Sequence, residues 1–520
     1  MIKRILSTFL LFLPTLSFAQ YFDEEDEREI EKNAYLKIAV EGQASFSDGK
    51  TPLWLNANKY GLSSLEDVNG YVRASVKHDM KAFDSEEEKP FDYAFGLDVA
   101  GAYGYTSTLV IQQAYGEIRW LRGKLTVGSK QMGMELKNEN LSSGSQTLGI
   151  NARPVPQVRV ALDEFWPIPG TKGFLNLKGH IAYGKMTDNN WVKDFTSEKS
   201  KYAENSLYHS KAGFLKLGKE HQNLSLTLGV EMVTVFGGTS HLENGDGTMY
   251  KAEHESGPKA FWNAFLPTSS GGEVVDTLYH NVAGNMLGSW MGRLDYKNDY
   301  WSAGLYFDHF FDDHSQMFFL DYDGYGKGEE WMLAKDRRYF MYKLKDMMFG
   351  FDWKSNLHSW FDSMVFECLY TKYQSGPIYH DHTMDVPDHI CGKDNYYNNY
   401  LQNPYQHWGQ VLGNPFYLSP IYNSDGRLEV KNNRFAAFHL GFGGHPTDEL
   451  SYRVLASLQD GMGTYDKPYN GYKKSFNFMA EATYEFPKHW EVTAAIGLDR
   501  GNIYGNNSGA QVTVRKTIYK

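Results

Sequence analysis

The sequence predicts an all-β chain that closes as a transmembrane antiparallel β-barrel, and three observations carry that expectation. Segments of about ten residues alternate apolar and polar side chains again and again, the period-2 signature of strands with two unlike faces. Aromatic content is high, with 36 Tyr, 32 Phe and 12 Trp in 520 residues, yet the mean hydropathy is only −0.51. Connections alternate between tight turns and long polar loops. In an outer-membrane barrel only every second strand residue meets lipid, so hydropathy stays low while aromatic girdles enrich Tyr and Phe. After the first twenty residues no run approaches the 18 apolar residues that a transmembrane helix needs.

The chain opens with "MIKRILSTFLLFLPTLSFAQ": Lys3 and Arg4, an apolar run, then Ser17-Phe18-Ala19 before Gln20. That is the layout of a secretory signal peptide, expected over residues 1–19. The apolar run is too short to span a bilayer. No cysteine follows the cleavage site, which argues against a lipid anchor there. Residues 20–50 include the acidic stretch "YFDEEDEREIEKNAYL". It reads as a solvated leader or, alternatively, as a small plug at the periplasmic mouth. The barrel is expected over 51–520.

Within that region, "LSSGSQTLGINARPVPQVRVAL" ends in a strand pattern. Val158, Val160 and Leu162 fall on one face, Gln157, Arg159 and Ala161 on the other. Arg159 is tolerable in mid-strand if its face looks into a wet lumen, and Pro154 and Pro156 belong before the ladder begins. "NLSLTLGVEM", "FLNLKGHIAY", "FNFMAEATYEF" and "WEVTAAIGLD" repeat the pattern, and similar strands start near Tyr93, Trp290, Trp301, Met364 and Tyr452. The polar faces carry Lys178, Glu231, Arg293, Glu367, Arg453 and Glu481. A soluble sandwich could also turn such charges to water. Aromatics at the ends of the apolar faces, Tyr484 with Phe486 and Trp301 with Phe307, favour a lipid interface instead. "YEFPKHWEV" makes a tight turn at Pro487–His489, whereas 237–285, 320–345 and 372–432 are long and rich in Gly, Asp, Asn and Tyr. Short periplasmic turns and long extracellular loops are the habit of such barrels. The closing segment "QVTVRKTIYK" alternates too.

"PLWLNANKYG" (52–61), "LSSGSQTLGINARPVPQV" (141–158), "KDMMFGFDW" (345–353) and "DNYYNNYLQNPYQHWGQVLGNPF" (394–416) resemble the Wzi capsule-assembly family of outer-membrane proteins. The second block is the most specific and the fourth comes next. The resemblance implies a barrel of about 18 strands with a helical periplasmic plug. It also implies a lectin-like role, binding capsular or other surface polysaccharide at the cell outer membrane without catalysis or cofactor. The more acidic leader and the longer tyrosine-rich loops depart from the family's habit and bear on which glycan is bound.

The fourth block holds the densest set of candidate ligand residues. Tyr396, Tyr397, Tyr400 and Trp408 offer flat faces, and Asp394, Asn395, Asn398 and Asn399 offer hydrogen-bonding groups. A pyranose needs both, because its C–H face packs on aromatics while its hydroxyls need fixed polar partners. The same tyrosines could instead pack the loop against the rim. Arg153 and Arg159 are expected to pair with lumenal carboxylates such as Glu231 or Glu481. His380, Asp381, His382, Asp385, Asp388 and His389 could bind a metal, but solvated loop is the simpler reading and no metal is expected. "DYDGYGKGEE" and "ENGDGT" lack the ligand offsets of a calcium loop and read as turns.

No G-x-S-x-G, G-x-x-x-x-G-K-[ST] or H-E-x-x-H motif occurs, so no enzyme is expected. A net charge of −11 argues against nucleic acid. The two cysteines, Cys368 and Cys391, exclude a disulfide scaffold and leave their own pairing open. The partners expected are surface polysaccharide and outer-membrane lipid, for a chain acting as a monomer. A saccharide or small-solute pore is the alternative function, and a barrel-embedded enzyme a third.

Overall fold

The structure, a computed structural model, describes residues 34–81, 90–219, 221–266, 284–312, 346–374 and 394–520, with the short pieces 320–321, 329, 338–339, 378–379 and 389–390. Its frame is one closed sheet of 18 antiparallel strands. In chain order these are β1 Lys37–Asp48, β2 Val68–His78, β3 Phe91–Tyr103, β4 Leu109–Trp120, β5 Gly123–Ser129 and β6 Gln157–Pro167. Then come β7 Leu175–Lys185, β8 Leu207–Leu217, β9 Leu224–Phe236, β10 Asn285–Lys297, β11 Trp301–Asp312 and β12 Met347–Ser355. The last six are β13 Ser363–Tyr370, β14 Phe435–Gly444, β15 Leu450–Gly463, β16 Pro468–Phe486, β17 Trp490–Gly501 and β18 Asn507–Tyr519. Each strand pairs with the next, and β18 closes on β1 with Tyr519 opposite Lys37.

The alternation read from the sequence is the alternation of the wall. On β6, Val158 and Val160 are 51% and 59% exposed on the outside, while Arg159 between them is 7% exposed and faces the bore. Register keeps the apolar band continuous: Val160 lies opposite Leu125 on β5 and Ile181 on β7. Pro154 and Pro156 precede β6, as the missing amide hydrogen requires. No helix among the described residues is long and apolar enough to cross a membrane. The strands do the crossing.

The start of β1 and the C-terminus meet on one side of the barrel, where the Leu36 amide donates to the Lys520 carbonyl at 2.8 Å. That side has tight turns, including 487–489, where Lys488 and His489 take positive φ. The opposite side carries the long connections, which makes it the extracellular one. The first strand begins at Lys37, inside the segment expected to precede the barrel, because "LKIAVEGQASF" itself alternates and is needed to close the sheet. Residues 20–33, and with them the periplasmic-plug reading of the leader, lie outside the described residues. So do 380–388 of the histidine–aspartate cluster, "DGYGKG" (323–328) of the first calcium-like loop, and Cys391.

Among the described residues, three extracellular stretches turn back into the barrel: 49–67, 130–156 and 394–434. The first contains the short helix α1, Leu53–Asn56, whose four residues are all buried. Together they bring Trp54, Leu141, Tyr397, Tyr405, Phe416 and Tyr417 into one core with inward residues of the wall such as Val233, Tyr306, Phe310 and Met479. Toward the periplasmic side the bore keeps a polar chamber of about 400 Å³ lined by Glu41, Lys59, Arg73, Glu481 and Arg515 among others. Two further helices, α2 (Asn189–Thr196) and α3 (Pro258–Phe265), belong to the remaining extracellular loops.

Candidate functional site

Inward carboxylates on the wall hold the inturned loops. Glu367 on β13 accepts from the Ser142 hydroxyl at 2.5 Å, the Ser143 amide at 2.8 Å and the Tyr306 hydroxyl at 2.6 Å. Asp308 on β11 accepts from Lys137 Nζ at 3.0 Å and the Gln146 amide at 3.2 Å, with both charged side chains fully buried. Asp499 on β17 receives the Leu53 amide at 3.1 Å and the side-chain amides of Asn477 and Asn507. His439 on β14 bridges Ser457 and the Leu141 carbonyl, each at 2.8 Å. A buried carboxylate is tolerable only when its lone pairs are satisfied. Each of these three carboxylates takes at least one donor from an inturned loop, beside wall donors such as Tyr306, Asn477 and Asn507.

The two sequence blocks that carry most of the family resemblance meet each other in this layer. The Tyr405 hydroxyl donates to the Thr147 carbonyl at 2.8 Å and that of Tyr417 to Gln146 Oε1 at 3.1 Å, while the Tyr397 hydroxyl bonds the Gln146 carbonyl. Asn414 Nδ2 donates to the Gly144 carbonyl at 2.9 Å. The approach is so close at Gly413 that an added Cβ would lie 2.0 Å from the Tyr397 hydroxyl. Burial raises the Tyr397, Tyr405 and Tyr417 phenols well above their ordinary range, so they stay protonated donors.

Above this layer, on the extracellular face, a pocket of about 420 Å³ opens to solvent. Asn395, Asn398, Asn399 and Tyr400 line it, joined by Lys201 and Glu243 from two other loops, Arg427 and Glu429 from farther along the same 394–434 loop, and Asp466 from the turn between β15 and β16. Tyr400 is 75% exposed, a bare ring at the mouth. Asn398 is fixed on both sides: its Nδ2 donates to Asn395 Oδ1 and the Val430 carbonyl, both at 2.9 Å, and its Oδ1 accepts from the Val430 amide at 2.8 Å. Lys201 Nζ donates to the carbonyls of Asn399 and Gln402. Its burial pulls the ammonium down to about 8, outweighing the nearby Glu429 carboxylate, which acts the other way. The Arg427 side chain is exposed and makes no hydrogen bond or ion pair among the described residues. Rigid amides, an open phenol ring and a guanidinium suit a polyhydroxylated ligand.

The structure therefore separates the eight candidate ligand residues. Asn395, Asn398, Asn399 and Tyr400 share the pocket. Tyr396 and Tyr397 are buried beneath it and present no face to solvent, because their rings pack on Phe310. Asp394 does not line the pocket; its amide donates to the Gln374 carbonyl at 3.0 Å. Trp408 lies elsewhere, under the Arg153 guanidinium at 4.4 Å. Sequence reading missed Lys201, which lies far from the block in the chain, and Arg427 and Glu429, which lie beyond its end in the same loop; none carries a motif.

Of the three lumenal residues, Arg159 pairs with an inward carboxylate, though not with Glu231 or Glu481, and Arg153 with hydroxyls instead. Arg159 bonds Asp163 on its own strand at 2.6 Å, four residues along the same face. Arg153 sits in a loop and donates to Thr106 and Ser107. Glu481 pairs with Arg453 at 2.7 Å, and Glu231 is fully buried, accepting from the Leu148 amide at 3.3 Å. For both arginines a partner nearby in the fold wins over Glu231 or Glu481 across the bore.

A closed 18-stranded barrel with an apolar exterior and a polar, charged interior defines an outer-membrane β-barrel protein. No protein-family model and no curated protein matches the sequence. Among solved structures the chain is similar to Wzi of Escherichia coli, described as an outer-membrane protein involved in group 1 capsule assembly and a carbohydrate-binding β-barrel. The TM-score is 0.54 at 11% identity, over 95% of this chain and 86% of that one. OprD of Pseudomonas aeruginosa follows at 0.44 and 9% identity, over 94% and 95% of the two chains. OccK3 of the same organism stands at 0.43 and 10%, over 94% and 96%. At these identities the likeness speaks for the fold: a barrel seated in the outer membrane.

Proposed function

We propose that this protein is a lectin-like, Wzi-type barrel that holds capsular or other surface polysaccharide on the cell's outer face. The observation that carries the reading is the inturned-loop layer. Side chains of the loops and the wall pack across the bore above its polar chamber, and the outer surface of that layer presents a built pocket of amides, a tyrosine ring and a guanidinium. A neighbour with the same fold, at a TM-score of 0.54, is itself described as carbohydrate-binding. A solute pore would need a passage where these residues pack.

Glycan-array binding of the purified protein tests the proposal, with isothermal titration on the polysaccharide it selects. Removing the exposed ring in Tyr400→Ala should weaken binding by about 1 kcal/mol, roughly fivefold, without changing barrel stability. Unchanged binding in this variant would remove the pocket from the proposal.

The pocket also predicts a pH effect. Lys201 titrates near 8 in the folded protein against an ordinary lysine value of 10.5. Between those values the unfolded chain holds the extra proton, so this residue's contribution to folding becomes more favourable as pH rises through the window. The pocket loses a positive charge over the same range. An anionic polysaccharide should bind more weakly at pH 9 than at pH 7, and a neutral one equally at both. Identical pH profiles for the wild type and Lys201→Met on an anionic glycan would contradict this.

A further inference from the structure

We propose that the outer rim of β13–β17 carries a docking patch for the phosphorylated headgroup of an outer-leaflet lipid. On this side of the barrel the lipid-facing band ends in Phe438, Leu458 and Phe476, which stand opposite one another across β14, β15 and β16. Arg500 continues that row on β17, opposite Phe476. One step further out on the same face come Asp460 and Lys474, again opposite each other. Beyond them lie Arg434 and Lys372, joined by an Arg434 Nε bond to the Lys372 carbonyl at 3.0 Å. Lys372 Nζ sits 3.4 Å from Asp460 and 4.6 Å from the centre of the exposed Tyr472 ring, which places it on the outward face. Four cations thus gather around one carboxylate, across five strands and about 20 Å of rim.

Depth gives the patch its ligand. From Tyr484, exposed at the periplasmic end of β16, to Lys474 the strand climbs about 25 Å along the membrane normal, the height of the apolar band in such barrels. Lys474 and its neighbours therefore stand at the level of the outer-leaflet headgroups, next to Tyr370 and Tyr472, whose exposed rings suit that interface. Phosphate is the anion that lipids present there, and guanidinium and ammonium groups are its usual partners. The rim of β1–β4 differs in charge. There the outward band ends in exposed Phe46, Val68, Tyr103 and Leu109, and the charges beyond them, Asp48, Glu66 and Asp67, are acidic.

The test uses the full chain in phosphatidylcholine nanodiscs doped with a bisphosphorylated glycolipid, its dephosphorylated form, or phosphatidylglycerol. Retained lipid is measured by mass spectrometry after washing. The wild type should retain the phosphorylated glycolipid over its dephosphorylated form. K372Q/R434Q/K474Q should lower that retention on the order of 100-fold, at roughly fivefold per charge. Stronger retention of phosphatidylglycerol would assign the patch to phospholipid phosphate instead of glycolipid phosphate. Competition by millimolar inorganic phosphate would reveal a free-anion site and overturn the lipid proposal. So would equal retention by wild type and triple variant. If the triple variant does not give the heat-modifiable band of a folded barrel, the exposed single change K474E supplies the same comparison.

Discussion

Replacing Lys137 with methionine should release the 130–156 loop from the wall and cost about 3–5 kcal/mol, the usual consequence of stranding one partner of a buried ion pair. Lys137 and Asp308 are both fully buried at 3.0 Å. The same Asp308 carboxylate also receives the Gln146 amide, so its loss of a counter-charge reaches the backbone of the inturned loop. The measurement is the urea midpoint of the folded barrel in detergent, read with planar-bilayer current for the same sample. K137M should show a lower midpoint and intermittent current from a partly cleared bore. Adding Asp308→Asn should recover part of the loss, because the neutral amide no longer needs the ammonium. A K137M midpoint equal to wild type would mean that the pair does not hold the loop.

Trp54→Ala should be comparably severe, at about 3–5 kcal/mol for a buried tryptophan. Trp54 is 2% exposed, and its indole nitrogen donates to Ser457 Oγ at 3.0 Å. Its ring stands 4.9 Å from His439 and 5.7 Å from Phe416. All three inturned loops converge there, since His439 also holds the Leu141 carbonyl and Phe416 belongs to the third loop. The substitution opens a cavity at that junction and leaves Ser457 one donor short. Thermal unfolding in detergent should show a clear fall in the transition temperature, and protease should reach the 394–434 loop in the folded barrel. Trp54→Phe, which keeps most of the volume and loses the hydrogen bond, should fall between the two.

The wall was legible in the sequence because lipid on one side and water on the other impose a strict period of two. Val158, Arg159 and Val160 report it without any long-range information. Turns such as 487–489 were equally plain, being local. The start of β1 at Lys37 was missed because charged flanking residues masked a strand that earns its place only by pairing with β18.

The candidate site was half legible, for a physical reason. Tyr397 and Tyr400 are three residues apart and of one type, yet one is buried in the bore and the other stands in solvent. Composition suits a tyrosine equally to packing a plug and to stacking on a sugar. What separates the roles is whether the backbone turns inward, and that depends on acceptors such as the Gln146 carbonyl some 250 residues away. Lys201, Arg427 and Glu429 were invisible for the same reason: the pocket exists only once four loops have been brought together by the barrel beneath them.

Single-channel recording of the wild-type protein in planar bilayers bears on all of this at once. A bore filled by the 49–67, 130–156 and 394–434 loops should stay electrically silent under moderate voltage while the same preparation binds polysaccharide. Steady, uniform conductance steps from wild-type protein would contradict it, for they would require an open water path through the core built on Trp54, Tyr397 and Phe416.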